Sequence, residues 1–286
     1  MIIIKVMGGL GNQMFQYALY KKLLQINKDV KVDIHYFNNV AMHNGYELNK
    51  VFDLNPSIAT NNEIKRLGDT ERCISSKIRR KMGFKKKSHF TPSSDQVATF
   101  IPEIFVIDEM YLDGYWQSEK YFKDVDTIIR KDFTFRNDLR GRNAIICQEI
   151  LHNEAVSLHV RRGDYLKIPL YQNICTRDYY VNAINYISDR IKKPKFYIFS
   201  DDIEWCESNL DIKDATFVNW NKGSDSYIDM QLMSNCKYNI IANSSFSWWA
   251  AWLNNYKNKI VISPKKWFSD PNINQDDIIP ETWIKI

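Results

Sequence analysis

The sequence predicts an α/β protein built on parallel sheets. Short apolar runs alternate with helical patterns from one end of the chain to the other. The first run passes directly into a glycine-rich turn and a helix, and a second complete strand-helix series opens at Ala155.

Met1-Ile2-Ile3-Ile4-Lys5-Val6 is an apolar run of strand length and reads as a buried first strand. Gly8-Gly9-Leu10-Gly11-Asn12 follows, then a helix in which Phe15, Ala18, Leu19, Leu23 and Ile26 keep helical spacing. Val30 to His35 is the second strand. Residues 38 to 105 are less regular and are expected to hold loops, insertions and short helices. Periodicity resumes at Met110 to Tyr115, with a helix near Ser118 to Arg130 and another near Asn137 to Asn153.

The second series reads strand Ala155–Val160, helix Thr176–Ile191, strand Lys195–Phe199, helix Asp202–Asn209 and strand Thr216–Val218. It continues with helix Ser224–Cys236, strand Tyr238–Ala242, helix Ser244–Asn254 and strand Lys259–Ile262. This is a mononucleotide-binding pattern. The length of 286 residues fits two domains better than one, and the boundary is placed between 145 and 146.

Apolar residues at 44% and charged residues at 26% are ordinary globular values, so disorder is not expected. Aromatic residues at 14% suit both a large core and a sugar-stacking surface. The formal charge of +5 is concentrated between Glu71 and Lys87, where Arg72, Lys77, Arg79, Arg80, Lys81, Lys85, Lys86 and Lys87 stand against one acid. Such a run would attract an anionic membrane surface and equally serves as a solvated loop. No recognition motif supports nucleic acid. No apolar stretch is long enough to span a bilayer, and the first run is too short for a signal sequence with its cleavage site. Cys73, Cys147, Cys175, Cys206 and Cys236 are odd in number and widely spread, which fits a reducing cytoplasm and indicates neither a disulfide framework nor a zinc site.

The most informative segment is His159-Val160-Arg161-Arg162-Gly163-Asp164-Tyr165, where two guanidinium groups stand at a strand end. Strand alternation puts His159 and Arg161 on one face and Val160 and Arg162 on the other. Ligands of α/β sheets bind beyond the carboxyl ends of strands, and a planar guanidinium suits a phosphate, so this pair reads as a phosphate clamp. Surface ion pairing with a turn at Gly163 is the alternative. Asp164 and His159 are acid/base candidates by residue type, unassigned by spacing.

Gly8-Gly9-Leu10-Gly11-Asn12-Gln13 joins a strand to a helix but lacks the third glycine of a dinucleotide fingerprint and the Lys-Ser/Thr of a Walker loop. Its backbone would let a ligand approach, with Asn12 and Gln13 offering amides, or it is a tight turn alone. Asn243-Ser244-Ser245 opens a helix and would form an anion site, one serine serving also as cap. Trp248, Trp249 and Trp252 are expected to pack that helix into the core. Asp229 could receive two N–H donors of guanine or stand as a surface aspartate. Asp201-Asp202 would take a ribose hydroxyl or, more simply, cap the next helix. Asp124-Val125-Asp126 is formally Asp-x-Asp but lies on a helical stretch in the first half, and is read as surface charge.

Gly8 to Ala18, His159 to Tyr165, Phe199-Ser200-Asp201-Asp202 and Asn243 to Leu253 together resemble the bacterial α-1,2-fucosyltransferases of glycosyltransferase family 11. Gly114-Tyr115-Trp116-Gln117-Ser118 and Pro264-Lys265-Lys266-Trp267 are similar to the same family, and the blocks run in order over nearly the whole chain. The resemblance implies a GT-B-like fold, two Rossmann-type domains facing across a cleft, with residues 1–145 on the acceptor side and 146–286 binding GDP-fucose. It implies inverting transfer of L-fucose from GDP-β-L-fucose to O2 of a terminal galactose, on a glycan or lipid-linked oligosaccharide, with no metal or other cofactor. Arg161 would hold the β-phosphate, His159 and Asp229 would lie near guanine, and Ser245 near the phosphates. Gly9, Gly11, Asn12, Gln13, Arg162, Asp202, Asn243 and Ser244 complete the expected donor site, and Asp164 is carried as a base or an orienting partner. Surface polysaccharide or O-antigen assembly at the inner face of a bacterial membrane is the expected setting. The rival is a non-catalytic carbohydrate-binding protein, which would bind sugar and ignore GDP. An adhesion role for Arg162-Gly163-Asp164 is disfavoured because the tripeptide sits inside the strand-end motif.

Overall fold

In a computed structural model, residues 1–26, 28–38, 43–70, 74–84 and 86–286 are described, with the side chain of residue 75 left aside. The chain divides into two compact units, Met1–Thr134 and Phe135–Ile286.

Unit 1 contains β1 (Ile2–Lys5), α1 (Leu10–Gln25), β2 (Val30–Asp33), α2 (Leu48–Phe52), α3 (Asn61–Leu67), α4 (Ile74–Lys81), β3 (His89–Phe90), β4 (Met110–Leu112) and α5 (Asp126–Asp132). Its four strands pair in parallel in the order β2-β1-β4-β3. Ile2, Ile3 and Ile4 are buried, as a central parallel strand requires. β3 was not expected, because two residues, His89 and Phe90, carry no periodicity; their pairing with Tyr111 and Leu112 creates the strand. The helix expected near Ser118 to Arg130 is broken into 3-10 turns before α5, since Phe122 adopts φ −144°, ψ 10° and is fully buried. Asp124 pairs with Lys22 and Asp126 with Arg130, so the Asp-x-Asp sequence is surface charge.

Unit 2 contains α6 (Gly141–His152), β5 (Ala155–Val160), α7 (Arg177–Ser188), β6 (Lys195–Ser200), α8 (Ile203–Asn209) and β7 (Thr216–Val218). It continues through α9 (Tyr227–Asn235), β8 (Tyr238–Ile240), α10 (Ser245–Leu253), β9 (Ile260–Ser263) and β10 (Ile284–Lys285). The all-parallel order is β10-β9-β8-β5-β6-β7. The expected boundary at 145/146 falls inside α6. That helix stays whole in unit 2, with Ile146 and Ile150 buried.

The order of unit 2 fixes where a ligand can sit. From β5 the chain proceeds outward through β6 and β7, then returns to place β8 on the other side of β5. The loops leaving β5 and β8 therefore diverge, which opens a crevice at their carboxyl ends. β5 is buried at every residue, and Val156, Leu158, Val160, Tyr180 and Ile198 form its core with helix residues on one side. Trp248 and Trp249 are fully buried, and Trp248 donates to the Ile278 carbonyl at 2.8 Å and packs on Trp283. These tryptophans are core, as expected.

Candidate active site

Arg161 and Arg162 follow β5 directly and take different partners, as strand alternation predicts. Arg161 donates to Asp164 at 2.8 Å and to Asp201 at 3.1 Å, and its guanidinium lies 5.6 Å from the Tyr165 ring centroid. Arg162 pairs with Asp202 at 3.0 Å and stacks at 4.2 Å on Trp205. Its own backbone N–H donates to Asp201 at 2.9 Å. Burial works against the charge on Arg161, but Asp201 and then Asp164 outweigh it and raise the pKa, so the group is a fixed cation. A guanidinium has more N–H donors than two carboxylate contacts use, so it can still face an anion.

Asp201 is the residue that sequence reasoning undervalued. In the sequence it reads only as half of an Asp-Asp pair, yet it holds both the Arg161 side chain and the Arg162 backbone. A Cβ on Gly163 would stand 2.9 Å from its carboxylate oxygen, so glycine is needed there for close approach. Asp202 does what the simpler reading proposed: it caps α8 by accepting from the Trp205 N–H at 3.1 Å.

The loop after β8 meets the Arg loop through Tyr165. The Tyr165 hydroxyl donates to the Asn243 carbonyl at 3.3 Å and also meets the Ser244 side chain. Asn243 is buried and donates to the Trp267 carbonyl at 3.0 Å. Ser244 occupies the cap position of α10 without making a side-chain cap bond, and the first turn carries no acid. Ser245 is half-buried, and its hydroxyl has no hydrogen bond among the described residues. The amides of a first helical turn have no intrahelical partner, so this end of α10 offers N–H donors and a positive dipole end. His159 is buried beside Phe246, with ring centroids 5.8 Å apart, and its Nδ1 has no partner among the described residues. Burial, with Arg161 adding to it, pushes its pKa down to about 3, so the imidazole is neutral at pH 7.

Asp229 belongs to a separate network on α9. Its carboxylate accepts from Asn221 at 2.7 Å, Asn221 exchanges hydrogen bonds with Asn143, and the Trp220 indole donates to Asn143 at 2.8 Å. Arg142 lies 3.5 Å over the Trp220 ring. Burial pushes the Asp229 carboxyl up to about 7 against the opposing Asn221 hydrogen bond, and it has no ion pair among the described residues. It is a half-buried acceptor short of donors. Neither Asn143, Asn221 nor Trp220 was foreseen, because lone amides and indoles carry no sequence signature.

In unit 1 the glycine turn is tight. Gly8 has φ +79°, and a Cβ there would meet Asn12 Nδ2 at 2.6 Å. Gly9 precedes α1, and its carbonyl accepts from the Asn12 and Gln13 amides, while Gly11 is buried in the first turn. Asn12 Oδ1 accepts from Gln117 at 2.7 Å. Gln13, expected to offer its amide to a ligand, is engaged internally. Gln13 is fully buried, donates to the carbonyls of Gly8 and Gly45 at 3.0 and 2.8 Å, and accepts from the Glu47 N–H at 2.9 Å. The buried Glu47 carboxylate, raised in pKa mainly by burial, also takes the Leu10 N–H. The start of α1 is thus occupied by an internal carboxyl group, whereas the first turn of α10 carries no acid. Gln16, which was not singled out, accepts from Met7 N–H at 3.0 Å and donates to Gly114 at 3.1 Å, tying the loops after β1 and β4 together.

Of the basic run, Arg72 and Lys85 lie outside the described residues. Among the described residues no group of three or more His, Cys, Asp or Glu is placed to hold a metal ion, and no helix is long and apolar enough to cross a membrane.

Residues 1–286 match Glycosyl transferase family 11. The chain belongs to glycosyl transferase family 11. It is 36% identical over 299 aligned positions to an α-1,2-colitosyltransferase of Escherichia coli, covering all of this chain and 98% of that one. It is 33% identical to the O-antigen biosynthesis glycosyltransferase WbnK of Escherichia coli, covering 98% of each. Human galactoside α-(1,2)-fucosyltransferase 1 matches half of the chain at 27% identity. Among solved structures, NodZ α-1,6-fucosyltransferase soaked with GDP-fucose superposes with TM-score 0.51 at 16% identity, covering 88% of this chain and 92% of that one. The fold of this family 11 member is of the α/β, GT-B-like class, and the protein is a glycosyltransferase related to the α-1,2-fucosyl- and colitosyltransferases.

Proposed function

We propose that this family 11 protein transfers L-fucose from GDP-β-L-fucose to O2 of a terminal galactose with inversion, in bacterial surface polysaccharide or O-antigen synthesis in the cytoplasm. The observation that carries the reading is the convergence of Arg161 and the open start of α10 at the β5/β8 crevice of a family 11 chain. In this scheme the acceptor O2 attacks the anomeric carbon while the bond to the β-phosphate oxygen breaks, and the hydroxyl proton is released to the departing diphosphate or to water. The leaving diphosphate gains charge, and Arg161 with the first-turn amides of α10, beginning at Ser245, stabilises it more strongly as that charge develops. Asp201 and Asp164 hold Arg161 in place, so Asp164 acts as an orienting partner. Asp229 receives the guanine N–H edge, with neutral His159 nearby. Unit 2 binds the donor and unit 1 takes the acceptor.

The identity to a colitosyltransferase favours a second donor, GDP-colitose, which differs from GDP-fucose by the missing hydroxyl at C3. Parallel reactions with both donors on a panel of β-galactosides, with and without EDTA, test the proposal. A 2-O-fucosylated product unaffected by EDTA supports it. Preference for GDP-colitose selects the second donor, and tight GDP binding without transfer to any β-galactoside overturns the O2-galactose reading.

A further inference from the structure

Away from the site, α4 presents an outward face that a solvated helix would not carry. Helical positions advance about 100° per residue. Ser76 is buried on the inner side. Arg79 and Arg80 flank it and both reach the Asp69 carboxylate, Arg80 at 3.0 Å, which fastens that side of the helix to unit 1. The opposite face therefore points outward. It carries Ile74 and Ile78 one turn apart, 77% and 54% exposed, and Met82 and Phe84, 65% and 63% exposed, continue the stripe past the helix end. Other large exposed apolar residues, such as Val106 and Ile145, are scattered along the chain. Lys77 and Lys81 border the stripe, are exposed, and meet no carboxylate among the described residues.

We propose that this face docks on an anionic phospholipid surface. The isoleucines, Met82 and Phe84 enter the boundary between head groups and acyl chains, while Lys77 and Lys81 extend their stems along it and place their charges among the phosphates. Charge decides the occupant. A second copy packed face to face would bring four lysine ammonium groups together with no acid of the described residues on that face between them, whereas a negatively charged bilayer neutralises them. The inference stands on α4 alone and does not depend on which sugar is transferred.

The test is co-sedimentation of the full chain with phosphatidylcholine vesicles, with and without phosphatidylglycerol. Partitioning should rise roughly tenfold or more when phosphatidylglycerol is included and should fall with added salt. The pair Ile74→Glu and Ile78→Glu should lower it at least about tenfold, and the pair Lys77→Gln and Lys81→Gln several-fold, with melting and turnover on a soluble galactoside unchanged. Equal binding to neutral vesicles, or binding indifferent to the isoleucine pair, would overturn the proposal. So would a chain that ignores vesicles and sediments as a dimer which the isoleucine substitutions dissociate.

Discussion

Asp229→Asn is expected to stabilise the protein while weakening its hold on GDP, and the first effect can be sized from the surroundings of the carboxyl group. The folded pKa is raised to about 7 from an ordinary value of 3.8, with burial as the main cause and the Asn221 hydrogen bond opposing it. The raised acid is protonated in the folded chain while already ionised in the unfolded chain between these two values. The folded state therefore binds the extra proton, and stability declines as pH climbs from about 4 to about 7. The difference of about 3 units at ~1.4 kcal/mol each sets an upper bound of about 4 kcal/mol above pH 7. Because the side chain is only half-buried, a gain of roughly 1–3 kcal/mol is expected from the neutral amide, vanishing below about pH 4. Only Trp116 of the eight tryptophans lies in unit 1, so tryptophan fluorescence during urea unfolding follows unit 2. The GDP affinity of the variant, measured by calorimetry at pH 8, should fall at least about tenfold through loss of a charge-assisted pair. A stability difference of the same size at pH 4 and pH 8, or none at pH 8, would refute the burial argument. Unchanged GDP affinity would remove Asp229 from the base site.

Arg161→Ala should lower turnover by about a hundredfold or more, since roughly 3 kcal/mol of leaving-group stabilisation is lost, and near-normal turnover in steady-state assays would eliminate the clamp. Gly163→Ala places a Cβ 2.9 Å from the Asp201 carboxylate and should displace it; turnover should fall roughly tenfold while circular dichroism stays unchanged. Gln13→Ala strands two carbonyls and an N–H in unit 1 and should cost about 2–4 kcal/mol in thermal unfolding, with GDP affinity intact. A loss of GDP affinity without a loss of stability would return Gln13 to the donor site.

The strands were readable where short runs rich in apolar and β-branched residues stand between turn residues. Ala155–Val160 and Thr216–Val218 match the expected bounds, and α7, α8 and α10 begin within a residue of theirs, whereas α1 begins at Leu10, inside the segment read as a turn. β3 and β10 were not, because two-residue strands such as His89–Phe90 and Ile284–Lys285 exist only through their neighbours. Capping was legible in part: Asp202 caps as its type and place predict, while Ser244 stands at a cap position without closing it. Gln13 shows the limit most clearly, since an amide at a helix start reads alike whether it faces a ligand or a buried backbone.

The sequence by itself determined the α/β alternation, the cations at the end of β5, the serines opening α10 and the family these blocks resemble. Such features are local, set by periodicity and by residue type at a strand or helix end. The tertiary structure decided that β8 lies beside β5, that Asp201 rather than solvent holds the arginines, and that Glu47 occupies the start of α1 while that of α10 stays open. Those outcomes depend on which distant segments share a sheet edge and on how much water burial removes, and neither is written in the spacing of residues along the chain.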